Sequence, residues 1–179
     1  DWKIKVKLKL NYPDLKWNGK IHYNKLVNNS FTKSKSSYKN ILFSGGIDSF
    51  FTFFSLNFKN TRLVMVRGAD IKLDDDDGWF ELKKRCNNIK ENYKVNIEFI
   101  ETNILSFLNS DKLNFISPNI TDWWSYVQHG PGFASLAAPI NKNYTKTYIS
   151  ATHSTGFNTP WGSSPSIDNL IRYLNHKVI

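Results

Sequence analysis

The sequence predicts an α/β fold: a mainly parallel sheet of the five-stranded type, helices on both faces, and an N-terminal β-hairpin appendage. Three observations carry this. Short strand-like segments recur at residues 41–43, 61–66, 95–100 and 146–151, apolar throughout at 41–43 and 63–66, with segments suited to helices between them. Strands covered on both faces read as continuous apolar runs, and strands alternating with helices build parallel sheets. Residues 40–49, NILFSGGIDS, pass from an apolar run through a Gly-rich turn into the apolar stretch FFTFFSLNF, which reads as strand, tight loop and helix start. Residues 2–10 alternate, with Ile4, Val6, Leu8 and Leu10 opposite Lys3, Lys5, Lys7 and Lys9. That is the period of a half-buried strand.

Length and composition bound the rest. A chain of 179 residues with 40% hydrophobic residues makes one domain with a small appendage. We divide it into a hairpin and linker at 1–35 and a nucleotide-binding domain at 36–179, truncated at its C-terminus. It begins at Asp1 without Met, which reads as a fragment or trimmed chain. A single cysteine, Cys86, excludes an internal disulfide and a cysteine-cluster metal site within these residues. A reducing, cytoplasmic setting fits. No segment reaches the roughly 18 apolar residues of a membrane span, and no signal peptide is present. The net charge is +9. It suits nucleic acid, an anionic cofactor or an acidic partner, but the lysines are scattered, which favours a solvated basic surface.

In chain order, Pro13 and the pair Asn18-Gly19 turn the chain, and residues 20–23 make a short returning strand. Residues 28–39 are a polar linker. Residues 41–43 form the first core strand and 47–58 the first helix. The two glycines allow backbone conformations closed to other residues and a close ligand approach. Free N–H groups at a helix start, with the helix dipole behind them, bind anions. Ser44 and Ser49 add hydroxyls. Asp48 caps N–H groups or shapes an anion site. Residues 61–66 make the second strand, with Arg67-Gly68 at its end; Arg67 is either a surface arginine or a contact to a phosphate or carboxylate. In open α/β sheets ligands sit outside the carboxyl ends of strands. The loops after Phe43 and Val66 are therefore expected to line one crevice.

Asp74, Asp75, Asp76 and Asp77 are four acids in a row. Successive helical residues point about 100° apart, so all four cannot aim at one ion; we read them as a helix start rather than a metal site. The helix spans 79–92. Cys86 on it reads as inert core, with a persulfide role as the alternative. Residues 95–100 are the third strand, 104–108 a short helix, and 110–122 a polar excursion expected as a mobile loop over the site. Trp123, Trp124 and Tyr126 are partial core or a stacking wall. A Gly/Pro turn at 128–132 opens a helix of small residues, with His129 and Gly130 on the ligand side. The fourth strand, 146–151, leads to a polar loop holding His153 and Ser154. A second loop, 160–166, holds Trp161, and 167–174 is a helix.

Ser44-Gly45-Gly46-Ile47-Asp48-Ser49 matches SGGxDS, and no lysine follows the glycines, so it is not the GxxxxGK[ST] loop. It resembles the signature of the PP-loop ATP pyrophosphatases. The later segments resemble the 7-cyano-7-deazaguanine synthase branch, through 128–138, 148–154 and 160–168. That branch's C-terminal zinc cysteines are absent from these residues. The resemblance implies ATP and Mg²⁺ as cofactors, and adenylation of a small-molecule or macromolecular carboxylate or carbonyl with release of pyrophosphate, followed by amide, nitrile or thio-type transfer. It implies pyrophosphate on Ser44 to Ser49 with Phe43 beside it, and adenine near Val66, Arg67 and Gly68. Ser44, Asp48 and Ser49 would serve catalysis, with Asp48 the one residue placed for Mg²⁺. His129, Gly130, His153, Ser154 and Trp161 are the substrate-side candidates. Partners expected are a small-molecule substrate, with tRNA or a protein complex as alternatives, and a homo-oligomer or larger assembly. A non-catalytic nucleotide-binding subunit is the other reading.

Overall fold

A computed structural model describes residues 2–20, 22–25, 27, 37–69, 71–114, 116–140, 144–150, 160–173 and 176–179. Its centre is a six-stranded sheet. β1 (Tyr38–Leu42), β2 (Thr61–Arg67), β3 (Asn96–Glu101), β4 (Tyr144–Ile149), β5 (Arg172–Tyr173) and β6 (His176–Val178) lie in the order β3-β2-β1-β4-β6-β5. All neighbours are parallel except the β5–β6 pair. Ile41 stands opposite Leu63 and Tyr148, and Leu42 opposite Val64 and Ile149.

Side chains alternate across a strand, so this register sorts the core into two layers. Ile41, Leu63 and Met65 face α2 (Ile47–Ser55) and α3 (Asp76–Tyr93), packing on Phe53, Trp79 and Cys86. Leu42, Val64 and Val66 face the other way, onto Phe133 of α6 (His129–Ala137). Both faces are covered, which explains the unbroken apolar runs. Cys86 is fully buried, and burial pushes its thiol up to about 11, as suits an inert core position. The four acids start α3 as expected: Asp75 is its N-cap, accepting from Gly78 N–H at 2.9 Å, and Asp76 and Asp77 fill the first turn. No helix among the described residues is long and apolar enough to cross a membrane.

The N-terminal hairpin is corrected. Residues Trp2–Asn11 form a helix, α1, and no strand occurs among the described residues from 12 to 27. A helix brings residues four apart onto one face. Ile4, Leu8 and Tyr12 thereby reach a separate core with Ile120, Val127 and Ile167, while Val6 and Leu10 stay exposed. The Tyr12 hydroxyl donates to the Tyr126 carbonyl at 2.7 Å. Local alternation lost to these distant contacts. The linker at 28–39 lies largely outside the described residues, and its end, Tyr38 and Lys39, belongs to β1.

Three further expectations change. Residues 110–122 do not form a loop over the crevice. They hold the short helices' end at α5 (Ser110–Asn114), which follows α4 (Ile104–Phe107), and then bind the N-terminal segment: Ser117 donates to the Asp14 carboxylate and Ile120 is buried. No turn separates 123 from 137: a π-helical turn, Trp124–Gln128, runs directly into α6, with Gly130, Pro131 and Gly132 inside it. The last helix is only α7 (Pro165–Asp168), and the chain then returns as the β5–β6 hairpin. β6 satisfies the open edge of β4: Ile179 N–H donates to Thr147 O at 2.9 Å and Ile149 N–H to Ile179 O at 3.0 Å. This adds the strands that make six rather than five.

Candidate functional site

β2 lies on one side of β1 and β4 on the other, so the chain reverses direction across the sheet at β1. Such a switch point opens a crevice at the carboxyl ends of the strands. A cavity of about 290 Å³ lies there. Its apolar lining is Leu42, Val64, Val66, Phe133 and Ile149, the sheet face that α6 covers.

The loop after β1 closes one end. Gly45 has φ +81°, a left-handed conformation that favours glycine. Gly46 N–H donates to Ser44 Oγ at 3.3 Å, and the Ser49 hydroxyl donates to Gly46 O at 2.7 Å. Ser49 therefore braces the loop with its hydrogen, and what it offers a ligand is lone pairs. Gly46 is the N-cap of α2 and, as a glycine, brings no side-chain cap of its own. Its first intrahelical bond runs from Phe50 N–H to Gly46 O at 3.1 Å. The first N–H groups of α2 sit at the positive end of the helix. Ser44, Gly46, Ile47, Asp48 and Ser49 all line the cavity. The Ser150 hydroxyl, which bonds Thr52 of α2 at 3.0 Å, completes this side.

The facing wall is made by threading one backbone into another. Gly162 N–H donates to Ser125 O at 2.8 Å, and Gly130 N–H donates to Gly162 O at 2.9 Å. Gly162 is inserted into the hydrogen-bond ladder of the π-helical turn, a known cause of local distortion in helices. The insertion requires glycine: a Cβ on Gly162 would stand 2.9 Å from backbone atoms of Ser125 and Val127. It also fixes the flanking residues Trp161 and Ser163, which line the cavity with His129. His129 packs edge-on to Trp124 and Phe133. Burial holds its pKa below the ordinary value, against the opposing pull of Asp122, and its Nδ1 has no partner among the described residues. Burial thus favours the neutral imidazole. Behind Ser163 stands Asp168, which accepts the Ser163 hydroxyl at 2.7 Å and is pushed up to about 7 by burial, with that hydrogen bond opposing.

The structure thus brings together Phe43, Ser44, Gly46, Ile47, Asp48, Ser49, Val66, His129 and Trp161. Gly45 shapes the loop without lining the cavity. Arg67 and Gly68 do not line it. The Arg67 guanidinium turns toward α3, where it meets Asp76, donates to Leu73 O at 2.6 Å and lies 3.7 Å from Glu101. Gly68 N–H is bonded to Ile71 O at 2.6 Å. Gly130 packs behind the wall, against Asp168 and Gly162. His153 and Ser154 lie outside the described residues. Sequence reasoning missed Phe133, Ser150, Ser163 and Asp168. The run Pro160 to Asp168 marked a loop, but no local signal ties it to a helix turn some 35 residues earlier. Comparison with protein-family models, with curated proteins and with solved structures gives no match to this chain.

Proposed function

We propose that this cavity binds ATP and that the protein adenylates a small-molecule carboxylate or carbonyl oxygen, releasing pyrophosphate. The observation that carries the reading is the glycine-led start of α2, with its SGGxDS loop, at the switch point of a parallel sheet. Together they form an anion site opening into an apolar cleft. The cavity sits near the lower end of the roughly 300–1,000 Å³ usual for small-molecule sites. The net charge of +9 favours approach of a polyanion.

In this reading the N–H groups of Ile47, Asp48 and Ser49 hold the β- and γ-phosphates. Val64, Val66 and Phe133 take the flat base. Asp48, a single carboxylate at the cavity, fits Mg²⁺, which is commonly held by one or two carboxylates plus phosphate oxygens. The ion would supply positive charge against the phosphates. The substrate oxygen attacks the α-phosphorus; a new P–O bond forms as the bond to the pyrophosphate oxygen breaks. No side chain forms a covalent bond. The fixed N–H dipoles stabilise charge gathering on the leaving group, and the walls align the reactants. His129 and Trp161 bound the substrate side.

Product analysis tests this. The chain is incubated with Mg-ATP and a small-molecule extract of its host, beside Asp48→Ala and Gly46→Val. AMP and pyrophosphate, lost in both variants while they remain folded, is the expected result. ADP and phosphate would overturn the mechanism. ATP binding without turnover, with a stable partner in pull-down, would point to a nucleotide-binding subunit instead.

A further inference from the structure

Ser163 and Asp168 form a pair that the phosphate loop does not use. Ser163 lines the cavity, and both residues are only 3% exposed. Asp168 Oδ2 accepts the Ser163 hydroxyl at 2.7 Å, while its Oδ1 has no partner among the described residues. A carboxyl buried in this way is costly, and an apolar side chain would fill the space more cheaply. Room is nonetheless kept for it: a Cβ on Gly130 would come within 2.0 Å of Oδ1. Asp168 is further fixed at the end of α7, its N–H bonded to Ser164 O at 2.8 Å. A costly group held this firmly behind a lining residue is a candidate for a functional role.

A hydroxyl has one hydrogen and two lone pairs. The Ser163 hydrogen is given to Asp168, so what the hydroxyl of this lining residue has left for a ligand is lone pairs. We propose that Ser163 contacts the ligand and Asp168 is its positioning residue, and that together they select a substrate presenting an N–H or O–H donor at this wall. The substrate class is thereby an amide, amine or hydroxyl compound. An ester or ether in the same place would leave a desolvated acceptor unpaired. This inference rests on the reading of the cavity as the substrate site.

The test uses benzamide and methyl benzoate, which share a ring and a carbonyl but differ in the N–H donors. Dissociation constants are measured by ligand-observed NMR with the full chain, at a pH well above the value of about 7 to which burial lifts Asp168. Benzamide should bind about tenfold more tightly, the worth of one well-made hydrogen bond. Ser163→Ala should abolish the preference. Ser163→Thr, which keeps the hydroxyl, should retain it, and Asp168→Asn should reduce it to a few-fold. Equal binding of the two probes, no binding of benzamide, or a preference that survives Ser163→Ala overturns the proposal. Its failure is separable from that of adenylation. Probe preference without AMP formation leaves this pair standing, and AMP formation without probe preference removes only the pair.

Discussion

Replacing Gly162 by Ala should unseat one wall of the cavity. The added Cβ would meet Ser125 O, Val127 C and Val127 N, each at 2.9 Å. All three are backbone atoms of a helix and cannot swing aside as a flexible side chain can. Relief requires the loop to withdraw, which lengthens the bonds of 2.8 Å to Ser125 O and 2.9 Å from Gly130 N–H. Each bond contributes about 1 kcal/mol net, and crowding a packed site costs about 1–3 kcal/mol more. A loss of about 3–5 kcal/mol follows, or roughly 6–20 °C in Tm for a domain of this size. Urea titration followed by tryptophan fluorescence reads the midpoint at unchanged slope. Gly130→Ala should act in the same direction, because its Cβ would meet Asp168 Oδ1 at 2.0 Å and Gly162 O at 2.7 Å. The double variant should lose less than the sum, since the two glycines share one hydrogen bond. A Gly162→Ala protein within about 0.5 kcal/mol of the parent would refute the inserted-backbone account.

Other consequences are equally direct. Phe53 is fully buried among the rings of Phe43, Phe58 and Tyr93, so Phe53→Ala should cost about 3–5 kcal/mol by urea unfolding. Arg67→Ala should lower stability by about 2 kcal/mol through lost hydrogen bonds and packing on Trp79, while leaving Mg-ATP affinity in calorimetry unchanged; lost affinity at full stability would restore Arg67 to the ligand. Asp168 titrates near 7 when folded and near 4 when unfolded, so over that interval the folded state binds more protons. Its contribution to stability should fall as pH rises from about 4 to about 7, by up to roughly 4 kcal/mol, and level off above. Unfolding of Asp168→Asn, compared with the parent across that window, should lack this slope; parallel curves would show that the carboxyl is not perturbed.

The sequence by itself determined the parallel core and the first end of the cavity. Residues 41–43 and 63–66 need no partner to declare themselves, because strands buried on both faces read as near-continuous apolar runs. The loop Ser44 to Ser49 was equally legible: its glycines, its position after a strand and the start of α2 are neighbours in the chain. The clamp on Arg67 was not, since Asp76 and Glu101 reach it from two other elements. Residues 2–10 alternate as a strand would, yet they are helical. Their conformation was decided by Ile120, Val127 and Ile167, which offer a surface that residues four apart can share. The second end of the cavity was decided in the same way. Gly162 enters the helix ladder at Ser125 and Gly130, and that contact places His129, Trp161 and Ser163 together. Propensity and spacing act over a few residues, whereas a backbone threaded into a distant helix exists only once both have folded.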